Sequence, residues 1–568
     1  MVNHGRSAGC LTCKQRRVKC DEEKPKCRAC RRLKLNCRYR TKYANLRIKD
    51  ETHKFHSSTK VAIRHVAEPD AAVPFFLQHY ATMGRDVAST RGFYEMLVSV
   101  YARELQSSPL SLAVAAVAEV VLALWRHNSH ASDLHSRRLN RSSNSYYTQA
   151  VRALRHALDD RNERGKPATM LAVLSLQLHD NVTAVYGVQP ATRIHHDGAL
   201  SLLPFAAAPS ECVDLDPTTS AYVRNFIFHS EISSALRQGR GLDPVVAEWI
   251  GDRGLKGVSD NPSATLDAIG AATAEFQARY IRRRRGGGGT PLSREEMDAW
   301  RVRAKCIDDQ LVLWAQTLPA HWRVLRLVRG RLGDDVIDAS IPTYRSICEV
   351  YTCSQVGATW NIWRVQRLLL TRISLSLLGS SDREDGQSSR SPQETGVGRR
   401  EMEEDAAAAV GYIQRLQELV DSICYSVPFF LGNRARPSSM SDFTDPAILF
   451  PRVGSSPPPD AARASQLVSG DPYEQHFRRH IIAQGPWHLM NSLSRLLTLF
   501  ADHDHGSIKP AALLRQGQHE WISRQFVRVV SLLHLWSVVG IGDALAGDSS
   551  AEDIARGVRK GAVYMTGP

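Results

Sequence analysis

The sequence lacks an uninterrupted apolar run of membrane-spanning length. Its two longest apolar stretches, residues 110–125 and 526–541, are each 16 residues long, whereas a spanning helix needs about 20. Glu119 interrupts the first stretch, and Arg528 and His534 interrupt the second. We therefore expect both stretches to form buried core helices, and we expect no membrane partner.

The N-terminus also lacks the pattern of a secretory signal. Its first residues, MVNHGRSAGC, contain no apolar run behind a basic start. We therefore expect a reducing compartment inside the cell, where disulfide bonds are not the default state of cysteine.

Sequence motifs of common catalytic sites are missing as well. The chain contains no G-x-x-x-x-G-K-[ST], G-x-S-x-G or H-E-x-x-H pattern. The glycines at 286–289 lack the Lys-Ser/Thr pair that a phosphate-binding loop needs. We predict that the protein is not an enzyme.

The basic charge is concentrated at the N-terminus. The 568 residues carry a net charge of +15, and the first 50 alone hold sixteen Lys/Arg against four Asp/Glu, a net of +12. The remaining 518 residues are nearly neutral, with a net of +3. A compact basic module on a neutral body is typical of a protein that binds nucleic acid or another anionic surface.

The long neutral part reads as helical. Helix-length segments with an apolar spacing near 3.6 residues recur from about residue 71, one of them covering 342–378, while alternating strand patterns are almost absent. The 43% of hydrophobic residues is enough to bury a core. We predict a large all-α regulatory domain over 71–555.

Three segments of this body contain few apolar residues. They are the Arg-Gly run near 282–292, the Ser-, Gly- and charge-rich segment at 379–400, and the Pro- and Ser-rich segment at 432–470. We predict mobile loops at all three, because such compositions cannot pack. Residues 43–70 are predicted to be a linker, and they show no heptad register that would favour a coiled-coil dimer.

Six of the eleven cysteines lie close together near the N-terminus. The unit C-x2-C-x6-C occurs twice, offset by 17 residues. Such a repeat predicts two similar halves related by a pseudo-twofold axis. The six residues are Cys10, Cys13, Cys20, Cys27, Cys30 and Cys37.

Zinc coordination explains this spacing. A structural zinc ion takes four ligands in a tetrahedron, and no histidine lies between residues 10 and 37. Six cysteines satisfy two zinc ions if two sulfurs bridge both. The alternative is one four-cysteine site with two spare thiols, which would leave the two halves of the repeat unlike each other.

At this point the sequence resembles a known family. The segment GCLTCKQRRVKCDEEKPKCRACRRLKLNCRYR is similar to the binuclear zinc cluster DNA-binding domain of fungal transcription regulators. The similarity includes all six cysteines, the basic run 14–19, the pair Cys20-Asp21 and Pro25. It implies a module at 1–42 with two short helices at about 11–18 and 28–35, and two zinc ions bridged by Cys10 and Cys27.

Four cations, Lys14, Arg16, Arg17 and Lys19, are predicted to lie on the first of these helices, where they would repel one another without a polyanion. The resemblance implies that Arg16 and Arg17 read a CGG-type triplet, and an arginine can donate two hydrogen bonds to guanine O6 and N7. Other cations are better suited to phosphate contacts, which position the protein without reading bases. These are Lys14, Lys19, Arg28, Arg31, Arg32 and Lys34.

Residues 145–154 and 196–203 resemble the helical regulatory domain that often follows the cluster in this family. We expect the adjacent His195 and His196 to be packing residues rather than metal ligands, because they point to different faces of a helix.

Together these features predict a nuclear, sequence-specific regulator of RNA polymerase II transcription. Its partners would be double-stranded DNA and the transcription machinery, and a homodimer or heterodimer is compatible with the sequence. The alternative hypothesis is a zinc-stabilised protein-interaction adaptor in a nuclear complex.

Overall fold

The computed structural model divides the chain into two compact units, Met1–Val66 and Ala67–Pro568. Each unit is described by itself below. The described residues are 9–39, 71–81, 93–126, 133–186, 192–206, 217–253, 261–286, 292–330, 337–378, 396–451, 472–501, 513–535 and 550–561.

The first unit contains two helices of five residues each, α1 (Leu11–Gln15) and α2 (Arg28–Arg32). Both begin in the same way, because a cysteine side chain caps the helix. Cys10 Sγ accepts the N–H of Cys13 at 3.3 Å, and Cys27 Sγ accepts the N–H of Cys30 at 3.4 Å. The two predicted helices are present, but both are shorter than 11–18 and 28–35.

The second unit is almost entirely helical, which confirms the predicted all-α class. Its helices are α3 (Ala72–Phe76, continued by a π-helical turn Leu77–Ala81), α4 (Phe93–Tyr101), α5 (Pro109–Arg126), α6 (Asp133–Asp159), α7 (Pro167–Val185), α8 (Ile194–Ala206), α9 (Pro217–Gln238), α10 (Pro244–Arg253), α11 (Pro262–Gly286), α12 (Arg294–Thr317), α13 (Ser354–Leu378), α14 (Gly396–Leu431), α15 (Pro472–Ala501), α16 (Gln518–Leu532) and α17 (Ala551–Gly561). Short 3₁₀ turns occupy Ala320–Trp322 and Met440–Phe443.

Helix α5 lies in the core of this unit. By length and composition alone it would pass for a membrane-spanning helix, with a mean hydropathy of 1.6 over 18 residues. However, 61% of that window is buried inside the protein, and α5 packs against α6 and α7. Its Leu110, Ala113 and Val114 are fully buried.

The predicted helix at 342–378 is wrong in its first part. Residues Leu325–Val328 and Ile347–Val350 form an antiparallel hairpin, β1 and β2. Arg345 and Ser346 have left-handed backbones, with φ of 51° and 59°, which a right-handed helix cannot contain. The register pairs Arg326 with Glu349.

A buried carboxylate anchors this hairpin. Glu349 is 1% exposed, and its oxygens accept from Arg326 Nη2 at 2.7 Å and from Arg364 Nη2 at 2.6 Å. Arg364 belongs to α13 and is itself buried. A strand replaces the expected helical turn at this place. In the strand, the buried carboxylate of Glu349 is paired with Arg326 and Arg364, so that its charge is compensated.

Two of the predicted loops differ from expectation. Residues 282–285 form the last turn of α11 rather than a loop, since arginine is a good helix former and cations are favoured at a helix C-terminus. Residues 432–451 pack against the body, where Arg434 donates to Ile482 O at 3.0 Å and to Ser438 Oγ at 2.6 Å.

Other predicted segments fall largely outside the described residues. These are the linker at 43–70, residues 287–291, most of 379–400 and residues 452–470. The last part of the 379–400 segment forms the beginning of α14. The proposed domain boundaries stay predictions.

A close contact between α14 and α15 yields a stability prediction. A Cβ atom at Gly485 would overlap the carbonyl oxygen of Phe430, whereas a Cβ at Gly411 would meet nothing within 4 Å. We expect Gly485→Ala to destabilise the protein by about 1–3 kcal/mol through overpacking. The control Gly411→Ala should be neutral or stabilising by up to about 1 kcal/mol, because alanine favours the helix. Thermal unfolding followed by circular dichroism measures both, and equal melting temperatures would contradict the predicted overlap.

Candidate metal centre and nucleic-acid interface

The six clustered cysteines form two groups of four sulfur atoms. Within each group all Sγ atoms lie within 4.8 Å of one another. Cys10 and Cys27 belong to both groups. The first group is Cys10, Cys13, Cys20 and Cys27, and the second is Cys10, Cys27, Cys30 and Cys37.

The distances between sulfur atoms fit tetrahedral zinc. A Zn–S bond of about 2.3 Å gives an S···S edge of about 3.8 Å. The Sγ atom of Cys10 lies 3.8 Å from that of Cys27 and 3.8 Å from that of Cys30, and Cys13 Sγ lies 3.6 Å from Cys27 Sγ. A disulfide bond would need about 2.05 Å, and all six are free thiols.

The two halves of the repeat also match in their hydrogen bonds to sulfur. The N–H of Cys10 donates to Cys20 Sγ at 3.4 Å. The N–H of Cys27, 17 residues later, donates to Cys37 Sγ at the same 3.4 Å. The helix caps described above repeat at the same offset. These contacts give the module the predicted pseudo-twofold arrangement.

The surroundings of the six thiols shift their pKa values in different directions. Burial raises the pKa of Cys30 to about 12, whereas the backbone N–H of Cys30 lowers the pKa of Cys27. Backbone N–H groups alone therefore do not hold all six as thiolates. A divalent cation would supply the missing charge and release the protons on binding.

Tyr39 is a further contributor that the cysteine spacing does not reveal. Its hydroxyl donates to the carbonyl oxygen of Glu23 at 2.8 Å and lies 3.9 Å from Cys20 Sγ. Groups that contact metal ligands in this way orient them. The nearness of Tyr39 to Cys37 in sequence is the only signal that points to it.

All eight predicted DNA-contacting cations are exposed. Only Lys14 lies within α1, because Arg16 is its C-cap and Arg17 has a left-handed φ of 56°. The prediction that Arg16, Arg17 and Lys19 lie on the first helix is therefore wrong. Lys34, which matches Arg17 in the repeat, has the same conformation, with φ of 51°. Arg28, Arg31 and Arg32 lie on α2.

Acidic residues distinguish the second half from the first. Glu23 Oε2 lies 3.2 Å from Arg28 Nε and 3.0 Å from Arg31 Nη2. Asp21 accepts the backbone N–H of Arg28 at 3.0 Å, which favours the start of α2. Residues 10–20 and residues 27–37 both contain no acidic side chain, because the acidic residues lie between the two units, at 21–23. The two halves thus share a backbone, and the acidic residues between them pair with arginines of the second half.

Comparison with known families supports this geometry. The family described as "Fungal Zn(2)-Cys(6) binuclear cluster domain" matches residues 8–45, and "Fungal specific transcription factor domain" matches residues 94–321. The chain is therefore similar to fungal transcription factors in two separate segments. The resemblance inferred from the sequence is confirmed at both places. In the zinc-cluster domain the match includes all six cysteines, and the second match covers α4 to α12.

Individual relatives match only a short segment. Sterol uptake control protein 2 of Candida albicans is 64% identical over 31 residues, which is 6% of this chain and 4% of that protein. Sterol uptake control protein 2 of Saccharomyces cerevisiae is also 64% identical over 31 residues, which is 6% of this chain and 3% of the yeast protein. No solved structure matches.

Within the fungal transcription factor domain, the two histidines pack as expected. His195 Nε2 lies 2.8 Å from the hydroxyl of Tyr147 on α6, and His196 Nε2 lies 2.7 Å from Glu231 on α9. Burial alone would raise the pKa of Glu231, but hydrogen bonds from Arg240 and His196 lower it to about 2. These contacts join helices, and no metal-binding group includes them among the described residues.

The shared sulfurs yield a prediction about metal content. Cys10→Ser removes a ligand from both four-sulfur groups, so we expect the purified protein to lose more than half of its bound zinc, as measured by inductively coupled plasma mass spectrometry. The control is Cys306→Ser, which alters an exposed cysteine in the helical body and should leave the zinc content unchanged. Wild-type zinc content in the Cys10 variant would rule out the role of this sulfur.

Proposed function

We propose that this protein is a nuclear, zinc-dependent regulator of RNA polymerase II transcription that binds double-stranded DNA at CGG-type triplets. The observation that carries the proposal is the pair of four-sulfur groups surrounded by exposed cations. Such a scaffold fixes basic side chains in space where a disordered basic tail would not. The match of both family domains favours this function over a protein-interaction adaptor.

The metal centre of the proposal contains two zinc ions. Cys10 and Cys27 would bridge them, since each sulfur belongs to both groups. The remaining four cysteines would complete the two tetrahedra. Zinc would supply structure here rather than catalysis, because thiolates of the six cysteines would occupy all four ligand positions of each ion. Removing the metal would unfold the module.

DNA recognition is assigned to the first half of the module. Arg16 and Arg17 follow α1 immediately, are exposed, and have no acidic neighbour in residues 10–20. A guanidinium can donate two hydrogen bonds to guanine O6 and N7 in the major groove. The phosphate contacts come from the surrounding cations, which add affinity without sequence preference. They are Lys14, Lys19, Arg28, Arg31, Arg32 and Lys34.

The helical body has a different task. Its net charge of +3 over residues 51–568 gives it little general attraction to DNA. We assign to it the modulation of activity and the contacts with the transcription machinery. The similarity to the two sterol uptake control proteins covers only 31 residues, no more than the length of the zinc-cluster segment, and gives the helical body no specific role.

Arg17 and its repeat counterpart Lys34 provide a matched test. Arg17→Ala should weaken binding to a CGG-containing duplex by about 1–3 kcal/mol and reduce the preference over a scrambled duplex. Lys34→Ala has a similar backbone cost, since both residues are left-handed, but it should weaken binding to both duplexes equally. Fluorescence anisotropy at fixed salt measures the six affinities of wild type and the two variants for the two duplexes. If wild type binds both duplexes equally, the proposed sequence readout is refuted.

Glu23 provides a second test of the same interface. Glu23→Gln removes the carboxylate that pairs with Arg28 and Arg31. It makes Arg31 available to phosphate and leaves Arg28 with the single carboxylate of Asp21, 4.0 Å away. We expect tighter DNA binding and a salt dependence that steepens by roughly one to two released ions. Glu22→Gln removes the same charge without freeing an arginine and serves as the control. Identical salt slopes for the two variants would show that Arg28 and Arg31 do not reach phosphate.

A further inference from the structure

Arginine is concentrated at the end of helix α11 in the helical body. Five of the seven residues from 279 to 285 are arginine, and none of the seven is acidic. Residues 51–568 hold 57 Lys/Arg and 54 Asp/Glu, so the body without these five arginines has 52 against 54, a net of −2. This arginine patch therefore accounts for the whole positive excess of the body. Its members are Arg279, Arg282, Arg283, Arg284 and Arg285.

The last turn of α11 is open to solvent on several sides. Successive residues of a helix are rotated by about 100°, so Arg282, Arg284 and Arg285 point in different directions. All three are nevertheless exposed, and Arg279, one turn earlier, is exposed as well. Tyr280 is buried, with 6% of its surface exposed. The helix is therefore packed into the body as far as Tyr280, and its end presents arginine to the solvent.

Acidic side chains neutralise little of the charge of the arginine patch. Arg283 Nη2 lies 3.3 Å from Glu296 Oε2, and the same oxygen accepts the N–H of Ser293 in the capping box of α12. Arg284 lies over the ring of Tyr280, 6.0 Å from its centroid. Among the described residues, no carboxylate forms an ion pair with the other four arginines of the patch.

The stability of α11 does not explain five arginines at its end. One or two cations in a last turn already interact favourably with the helix dipole, and Arg282 Nε donates to Ala278 O at 3.4 Å. Further like charges three or four residues apart repel one another and destabilise a helix. Arg279 with Arg283, and Arg282 with Arg285, are such pairs. A bound polyanion would relieve this repulsion.

The chemistry of the patch favours phosphate over the carboxylates of an acidic protein. A guanidinium group donates two parallel hydrogen bonds to a phosphate. A protein partner is usually held by apolar or aromatic anchors in addition to charge, whereas residues 282–285 offer only arginine. The zinc module is also part of the same chain, so DNA that it binds is present at a high effective concentration for the body.

We propose that the arginine patch is a second DNA contact, which binds backbone phosphates without reading bases. This inference rests on the proposed DNA binding by the N-terminal module. Contacts to phosphate add affinity but carry no sequence information. The patch would therefore strengthen binding to any duplex and leave the preference for one sequence over another unchanged.

The test measures the salt dependence of DNA binding by the full-length protein. Arg284→Gln/Arg285→Gln removes two exposed cations, and glutamine preserves the helix because its helix propensity is close to that of arginine. Fluorescence anisotropy gives the affinity for a scrambled duplex of about 40 base pairs, roughly four helical turns. We expect the slope of log affinity against log salt to become shallower by about one to two. Affinity at about 0.1 M salt should fall about threefold or more.

A double variant on α6 is the matched control. Arg152→Gln/Arg155→Gln removes two exposed arginines that are three residues apart, so it changes the charge of the body by the same amount at another place. It should keep the wild-type slope. Equal slopes for the two double variants would overturn the proposal. If the patch variant keeps the wild-type slope but loses affinity for a labelled poly-glutamate peptide, the patch binds acidic protein and the DNA proposal is wrong.

Circular dichroism identifies which variants are folded, and Arg279→Gln/Arg284→Gln serves if the first patch variant does not fold. The ratio of affinities for CGG-containing and scrambled duplexes should be the same in the patch variant as in wild type, and a changed ratio would contradict a contact to phosphate alone. A wild type without CGG preference would refute the proposed sequence readout. The salt slopes on the scrambled duplex would still decide the role of the patch, so the two failures are distinguishable.

Discussion

The N-terminal module depends on holding six sulfur atoms close together, in two groups of four whose members lie within 4.8 Å of one another. The residues with no exposed surface there are Cys10, Cys13, Cys27 and Cys30 rather than aliphatic side chains. A segment this short cannot bury enough hydrocarbon to fold by the hydrophobic effect alone. In the proposed cluster, coordination of zinc by the sulfur atoms would replace that effect. The lysines and arginines around these sulfur atoms lie on the surface.

The helical body is stabilised by a different balance. Its core is apolar, and two of the carboxylates buried in it are paired with arginine, Glu349 with Arg364 and Glu231 with Arg240. Removing one member of such a pair leaves an uncompensated buried charge, which costs more than the pair contributes. The body therefore tolerates these buried ions where they join neighbouring elements of the chain. The module, in contrast, keeps its charged side chains on the surface.

The metal centre could be predicted from sequence because its constraint is local. Cysteine spacing and tetrahedral stoichiometry are both readable from residues 10–37, and the structure brings all six sulfurs together. The hairpin at Leu325–Val350 could not be predicted, because Glu349 finds its partner Arg364 only through tertiary packing. The position at which α1 ends could not be predicted either, because an arginine at position 17 does not indicate a left-handed backbone conformation.

Cys10 and Cys27 each have two structural roles, and this affects how the proposed cluster would take up its metal ions. Each sulfur is both a ligand position common to the two groups and the acceptor that caps a helix. A thiolate accepts the capping N–H well and a thiol poorly, so deprotonation, metal capture and helix nucleation occur at the same atom. In the proposed cluster, a chain with one ion already has both caps charged and both helices started. The second ion would then enter a prepared site, so we expect the two ions of the proposed cluster to bind cooperatively.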